Sequence, residues 1–390
     1  MFTLLIIIYL SFISLGLPDS LLGSAWPVIH KDLSVSLSLA GVISMIISCG
    51  TVVSSFLSTR IIKRFGTGVT TAISVAMTAV ALIGFSLSNS FFLLCLWAIP
   101  LGLGAGSVDA ALNNFVAMYY KAKHMNWLHC FWGIGATSGP IIMSFALKNN
   151  SNWHTGYLTV GIIQSILVVV LVISLPLWKR TVSMNTKTDT NDILAISFKQ
   201  LIKIPNVKVV LLSFFCYCAL EATTGLWAGS YAVSIHNIPT KTAATWTSLY
   251  YLGITFGRFI SGFISMKFEN KQLVRMGQLF ILAGILLYFL PLPVWKIPIG
   301  LCLIGFGCAP IYPSMLHETP KLFGSNLSQA MMGVQMAFAY IGTTFMPPFF
   351  GLIAGNINII LLPVYLLIII GIMIFCTEYT NIHKQAKNLK

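Results

Sequence analysis

The sequence predicts an all-α integral membrane protein: twelve transmembrane helices in two six-helix pseudo-repeat bundles around a central cavity. Three observations carry that expectation. First, 57% of the 390 residues are hydrophobic and 8% are charged, with a mean hydropathy of +0.87, whereas a soluble domain carries roughly 25% charged residues. Second, apolar runs recur that are about 20 residues long, enough for a helix to cross a roughly 30 Å hydrocarbon core. Third, polar and glycine motifs return in the second half of the chain at a nearly constant offset.

Spans one to six are placed at 2–28, 37–58, 67–88, 91–119, 128–148 and 154–178, and spans seven to twelve at 207–236, 242–266, 272–291, 295–316, 327–354 and 357–378. The segment from Met1 to Leu15 has neither a basic leader nor a small-x-small cleavage site, so it reads as a retained first helix. Between spans six and seven the run KRTVSMNTKTDTND is polar. It divides the chain into an N-terminal bundle (1–178), a cytoplasmic linker (179–206) and a C-terminal bundle with a cytoplasmic tail (207–390).

With the N-terminus cytoplasmic, eighteen Lys and Arg residues fall in inward segments and four (Lys31, Lys148, Lys241, Lys296) in outward ones. The positive-inside rule is then satisfied, and both termini are expected in the cytoplasm of a cell-membrane protein. This spread also accounts for the net charge of +14. It forms no single basic stripe of the kind that binds nucleic acid. The eight cysteines include no C-x-x-C pair and read as ordinary buried thiols.

The repeat is visible in three motifs. Asp19-x-x-x-Gly23 returns as Glu221-x-x-x-Gly225, Gly102-Leu-Gly104 as Gly305-Phe-Gly307, and Ile134-Gly-Ala-Thr-Ser-Gly-Pro140 as Ile341-Gly-Thr-Thr-Phe-Met-Pro347. Three matches in order at nearly one offset point to duplication. On these motifs and the basic turn Ser58-Thr-Arg60-Ile-Ile-Lys63-Arg64-Phe-Gly66, the chain resembles the major facilitator superfamily. That resemblance implies two bundles rocking about a central site. Within it, Gly16-Leu-Pro-Asp19 and the run from Gly102 through Asp109 to Asn113 are most like the fucose-galactose-glucose:proton symporter family, with Asp109 where Glu is common.

Ionised side chains inside apolar runs mark the candidate site, since each costs roughly 2.5–3.5 kcal/mol at the bilayer centre unless it is hydrated, paired or protonated. Asp109 is the expected proton-coupling carboxylate, and Asn113, four residues on, shares its face and offers a donor and acceptors to a substrate hydroxyl. Asp19 follows Pro18, which removes a backbone donor, so a kinked first span would place it in the cavity as a second coupling or ligand group. In span seven, Glu221 lies on a stripe with Tyr217, Thr224 and Ala228, and Trp227 and Tyr231 form an aromatic edge beside it.

Trp132, Tyr312, Gln164 and Gln335 complete the expected substrate-binding set. Rings suit the apolar faces of a sugar, and amides and carboxylates suit its hydroxyls. Arg258, deep in span eight, is the expected gating residue, paired with Glu221 or another acid. His129 reads either as a proton relay or as a merely wet interfacial residue. No P-loop, zinc-ligand cluster or nucleophile elbow is present, so neither an enzyme, a cofactor nor an ATP-driven pump is expected. The expected activity is secondary transport of a small polar solute, most simply a sugar moved with a proton or sodium by a monomer. Efflux of an amphipathic compound is the alternative, suggested by Gly135-x-x-x-Gly139-Pro140.

Overall fold

The computed structural model describes residues 2–120, 122–148, 152–183 and 198–388. The helices are α1 (Phe2–Asp19), α2 (Leu21–Asp32), α3 (Ala40–Phe65), α4 (Thr67–Ser86), α5 (Phe91–Tyr119), α6 (Ala122–Ala146) and α7 (Trp153–Ser183). They continue with α8 (Phe198–Leu201), α9 (Val207–His236), α10 (Thr240–Ile264), α11 (Asn270–Leu287), α12 (Lys296–Phe323), α13 (Ser325–Ile353) and α14 (Leu362–Asn388). No strand occurs among the described residues. Because α1 and α2 form one crossing broken at Ser20, and α8 has four residues, these helices supply the twelve expected spans.

Span boundaries move outward from the sequence reading wherever a polar turn is still helical. Thus α3 runs on to Phe65 and α6 starts at Ala122. The last span instead begins later, after an irregular π and 3-10 stretch from Ala354 to Leu361. Half of the expected 179–206 linker, residues 184–197, lies outside the described residues. Among the described residues eight stretches are long and apolar enough to cross a membrane, and one of them, Met331–Ile382, takes in most of α13 and of α14. Missing from those eight are α6, α10 and α11. The first two turn polar side chains toward the interior of the protein, which lowers their mean hydropathy without exposing charge to lipid.

Helix ends follow local chemistry. Gly66 and Gly324, at φ +79° and +83°, make the tight turns between α3 and α4 and between α12 and α13, a backbone region strained for other residues. The start of α11 is a capping box in which Glu269 and Gln272 satisfy each other's backbone amides. Its other end is closed by the buried Lys296, whose Nζ donates to the carbonyls of Tyr288 (3.1 Å) and Leu290 (2.7 Å). Outward-facing rings and aliphatics such as Phe56, Phe92, Ile173 and Phe375 are strongly exposed, as lipid contact requires. Cys49 is exposed among them; the other seven cysteines are buried or half-buried.

In the first half α1 packs on α6 and α7, α3 on α5, and α4 on α5 and α7; in the second, α9 packs on α13 and α14, α10 on α12, and α11 on α12 and α14. The halves meet along α2–α9, α6–α10 and α3–α13. The duplication reaches the level of single contacts. Gly102 lies against the Ile47 carbonyl, and Gly305 lies against that of Tyr250, each 203 positions on. Gly135 lies against the Ile13 carbonyl, and its counterpart Gly342 against that of Phe215. The Gly135/Gly139 pair that suggested efflux is therefore a seam for close approach of α6 to α1, the use small residues commonly have in membrane helices.

Contacts between the halves are strongest at the end that carries the 237–239 turn. There Ser144 on α6 meets the Lys241 carbonyl (3.0 Å) and the Thr245 hydroxyl (2.8 Å) of α10, Gly23 packs on Gly225, and Gly41 on Pro348. Toward the opposite end Gly262 and Gly333 face open space. These contacts hold the two halves together at that end.

Replacing Gly135 or Gly342 with Val should force α6 from α1, or α13 from α9, at a cost of about 1–3 kcal/mol each. Thermal unfolding in detergent should show the lowered midpoint, whereas Gly371→Val, at a position facing open space, should leave it unchanged.

Candidate functional site

A cavity of about 340 Å³ lies between the halves, within the size range of small-molecule sites. Its position follows from the broken first crossing. Pro18 sits inside α1, which ends at Asp19, and α2 restarts at Leu21. The break leaves the Asp19 side chain exposed to the cavity, where water can solvate it.

Opposite Asp19, the α9 residues Cys218, Glu221, Ala222 and Leu226 form the wall. They spread over an arc of about 140° at roughly 100° per residue. Ser44, Ser48 and Thr51 of α3 add a hydroxyl stripe, and the rings of Trp132 (α6), Tyr251 (α10) and Tyr340 (α13) add apolar faces with polar edges.

Four side chains connect across this space. Trp132 donates its Nε1–H to Asp19 Oδ2 at 2.8 Å. The Arg258 guanidinium carbon stands 4.9 Å from the centre of the Trp132 ring, within cation–π range. The same guanidinium approaches Glu221, with Nη2 to Oε1 at 3.7 Å, and the Tyr250 hydroxyl donates to the Glu221 backbone carbonyl at 2.9 Å. Glu221 and Arg258 are both mostly withdrawn from solvent, so each supplies the countercharge that the other needs.

The remaining candidates are placed as follows. Asp109 and Asn113 lie one and two turns beyond Ala105, a cavity-wall residue of α5. Asn113 Nδ2 donates to Asp109 Oδ1 (2.9 Å) and to the Asp109 carbonyl (3.0 Å), so its amide hydrogens serve the acid. His129 stands one turn before Trp132 on α6 and is exposed.

Gln164, Gln335, Trp227, Tyr231 and Tyr312, expected at the substrate, do not line the cavity. Gln164 is buried as a tie, accepting from Thr78 (2.7 Å) and donating to the Ser14 carbonyl (2.7 Å), which joins α7 to α4 and α1. Gln335 accepts from Thr319 (3.0 Å), joining α13 to α12. Trp227 is fully buried, with Nε1 donating to the Pro347 carbonyl at 2.9 Å. Tyr231 packs on His236 and Tyr288, and Tyr312 packs on Phe214 and Tyr217.

For Trp227 and Tyr231 the reason is angular, since they lie about 240° and 280° around α9 from Glu221, outside the arc that faces the cavity. The residues absent from the sequence reading are Tyr251, Tyr340 and the Ser44/Ser48/Thr51 stripe. The stripe was signalled by its spacing of four and three; the two tyrosines had no local signal. Among the described residues no three metal-ligating side chains gather.

A model of the Major Facilitator Superfamily matches residues 8–324 and, in a second alignment, 210–388. The overlap reflects the repeated halves. "Bypass of stop codon protein 6" of Saccharomyces cerevisiae is 23% identical over 96% of this chain and 81% of its own length. The "Glucose/mannose transporter GlcP" of Bacillus subtilis is 23% identical over 79% of this chain and 77% of its own. Among solved structures, a D-xylose-proton symporter superposes with a TM-score of 0.76 at 13% identity, covering 96% of this chain and 97% of that one. Two bundles that meet in mirrored pairs around a central cavity, and a family match over nearly the whole length, have one explanation: the chain belongs to the Major Facilitator Superfamily, whose members are membrane transporters and not enzymes.

Proposed function

We propose that the chain is a proton-coupled symporter of a sugar or similar small polar solute, working by alternating access in the cell membrane, with the nearest affinity to the fucose-galactose-glucose:proton symporters. The observation that carries this reading is the opposition of a solvated carboxylate, Asp19, to the Glu221–Arg258 pair across a cavity walled by hydroxyls and aromatic rings. Such a wall suits a polyol. Rings cover its apolar face, Glu221 accepts its hydroxyls, and Ser44, Ser48 and Thr51 can donate or accept. Similarity to a glucose/mannose transporter and to a D-xylose-proton symporter supports the substrate class.

In this reading Asp109, held by Asn113, and Asp19 take up the proton, while Arg258 gates. The chain acts as a monomer, as two six-helix bundles joined by the 179–206 segment. The positive-inside bias supports cytoplasmic termini, and in that orientation the end carrying the 237–239 turn faces outward.

Reconstitution in liposomes with simultaneous recording of sugar entry and internal pH tests the reading. Sugar uptake should acidify the lumen, and uptake should follow an imposed pH gradient. No sugar movement under any gradient would sink the proposal, and sodium-dependent entry without acidification would replace the proton. Asp109→Asn should reduce uphill accumulation to simple equilibration while exchange continues. Glu221→Gln should weaken sugar affinity by about tenfold or more, the effect of losing a charge-assisted hydrogen bond; unchanged affinity removes Glu221 from the ligand. A cysteine placed at Lys187 should resist impermeant thiol reagents added outside, and ready labelling would invert the topology.

A further inference from the structure

We propose that Trp132 is a positioning residue through which Asp19 controls Arg258, so that a proton bound at Asp19 is read out at the seam between α6 and α10. The proposal takes from the proton-coupled reading its place in the transport cycle, but its geometry stands apart from any substrate. Three contacts run in series: Asp19 Oδ2 to Trp132 Nε1 at 2.8 Å, the Trp132 ring to the Arg258 guanidinium carbon at 4.9 Å, and Arg258 Nη2 to Glu221 Oε1 at 3.7 Å. The last exceeds hydrogen-bond length. The guanidinium therefore lies between an indole face and a carboxylate, with the Tyr217 hydroxyl beside it as a further partner.

The coupling is electrostatic. An indole N–H that donates to an ionised carboxylate is polarised by it, which leaves the ring face more electron-rich and strengthens its hold on a cation. When Asp19 takes a proton from cavity water, one O–H bond forms and the carboxylate charge is cancelled, while the indole keeps its own hydrogen. The ring then holds the guanidinium less, and Arg258 closes on Glu221 to hydrogen-bond distance.

Asp19 and Trp132 lie on helices of the first half, and Arg258 and Glu221 on helices of the second. The ring–cation contact is the link in this series that crosses between them. It continues a seam where Gly133 packs on Thr255 and the Thr137 and Thr255 hydroxyls meet at 3.4 Å, so protonation at Asp19 loosens α6 from α10. Other groups face these charges. Asp109 of α5 and Tyr251 of α10 face Asp19; Tyr217 and Cys218 of α9, Cys308 of α12, and His129 and Cys130 of α6 face Arg258. Asp109 and His129 are the alternative origins of a pH response in this region, so the test separates both.

Tryptophan emission of the purified full-length protein, without sugar, is titrated from about pH 4 to about pH 9. The wild type minus Trp132→Phe difference isolates the Trp132 signal. We expect a single pH transition in that difference, lost in Asp19→Asn and retained in both His129→Gln and Asp109→Asn. In liposomes Trp132→Phe, which keeps a ring but lacks the N–H, should exchange sugar with a pH profile that differs from the wild type by the part that depends on Asp19. A transition that survives Asp19→Asn, one abolished by His129→Gln or by Asp109→Asn, or a Trp132→Phe protein whose exchange keeps the wild-type pH profile would each overturn the relay. If Trp132→Phe does not fold, the wild type minus Asp19→Asn difference decides, because that variant retains every tryptophan. Absence of sugar transport with an Asp19-dependent emission change refutes the sugar reading and leaves the relay standing. Sugar–proton symport with an emission change indifferent to Asp19 does the reverse.

Discussion

The cost of an ion in hydrocarbon organises this molecule. Asp19, Glu221 and Arg258 stand in the middle of helices that otherwise present aliphatic side chains to lipid, and each must be hydrated or paired. Asp19 is hydrated because α1 breaks beside it. Glu221 and Arg258 are paired with each other, and Trp132 touches both sides of the arrangement. The cavity is the space that this solution requires. The polar faces of α6 and α10, which make those helices less apolar than their neighbours, are the walls it needs.

Around that centre, duplication and close approach set the frame. Gly102 and Gly305, and Gly135 and Gly342, occupy matched places in the two halves and let helix backbones touch. Lipid offers no hydrophobic drive for helices to associate, so packing at small residues and hydrogen bonds such as those of Gln164 and Gln335 hold each half together. Rigid halves with a polar interface are what rocking demands, since the same contacts must survive within each half while those between halves exchange.

Much of this was legible in the sequence because the signals are local. Twelve apolar runs, the polar segment after Lys179 and the repeated motifs are read along the chain, as are isolated ions such as Asp19, Asp109, Glu221 and Arg258. The ligand set was less legible because a ring or amide in an apolar run carries no sign of which neighbour it meets. Gln164 obeyed the rule that buried amides find partners, but the partners were Thr78 and the Ser14 carbonyl rather than a substrate; Gln335 accepts from Thr319 while its Nε2 is buried without a partner among the described residues. Trp227 adjoins the Glu221 stripe on paper yet lies on the far side of α9, against Pro347. Tyr251 and Tyr340 enter the cavity through the crossing of distant helices, which spacing within one helix cannot report.

The acids also differ in what they can sense. Coupling between a proton and a rocking motion requires that the proton's site interact differently with the two states. Asp109 is held by Asn113, one turn away on the same helix, and that bond travels with it whatever the halves do. Glu221 and Arg258 likewise lie within one half, on α9 and α10. Trp132 and Arg258 belong to opposite halves, so their contact changes when the halves move, and through Trp132 that change reaches Asp19. By linkage the influence runs both ways: a motion that draws Arg258 from the indole alters how firmly Asp19 holds a proton, by as much as the proton alters the motion.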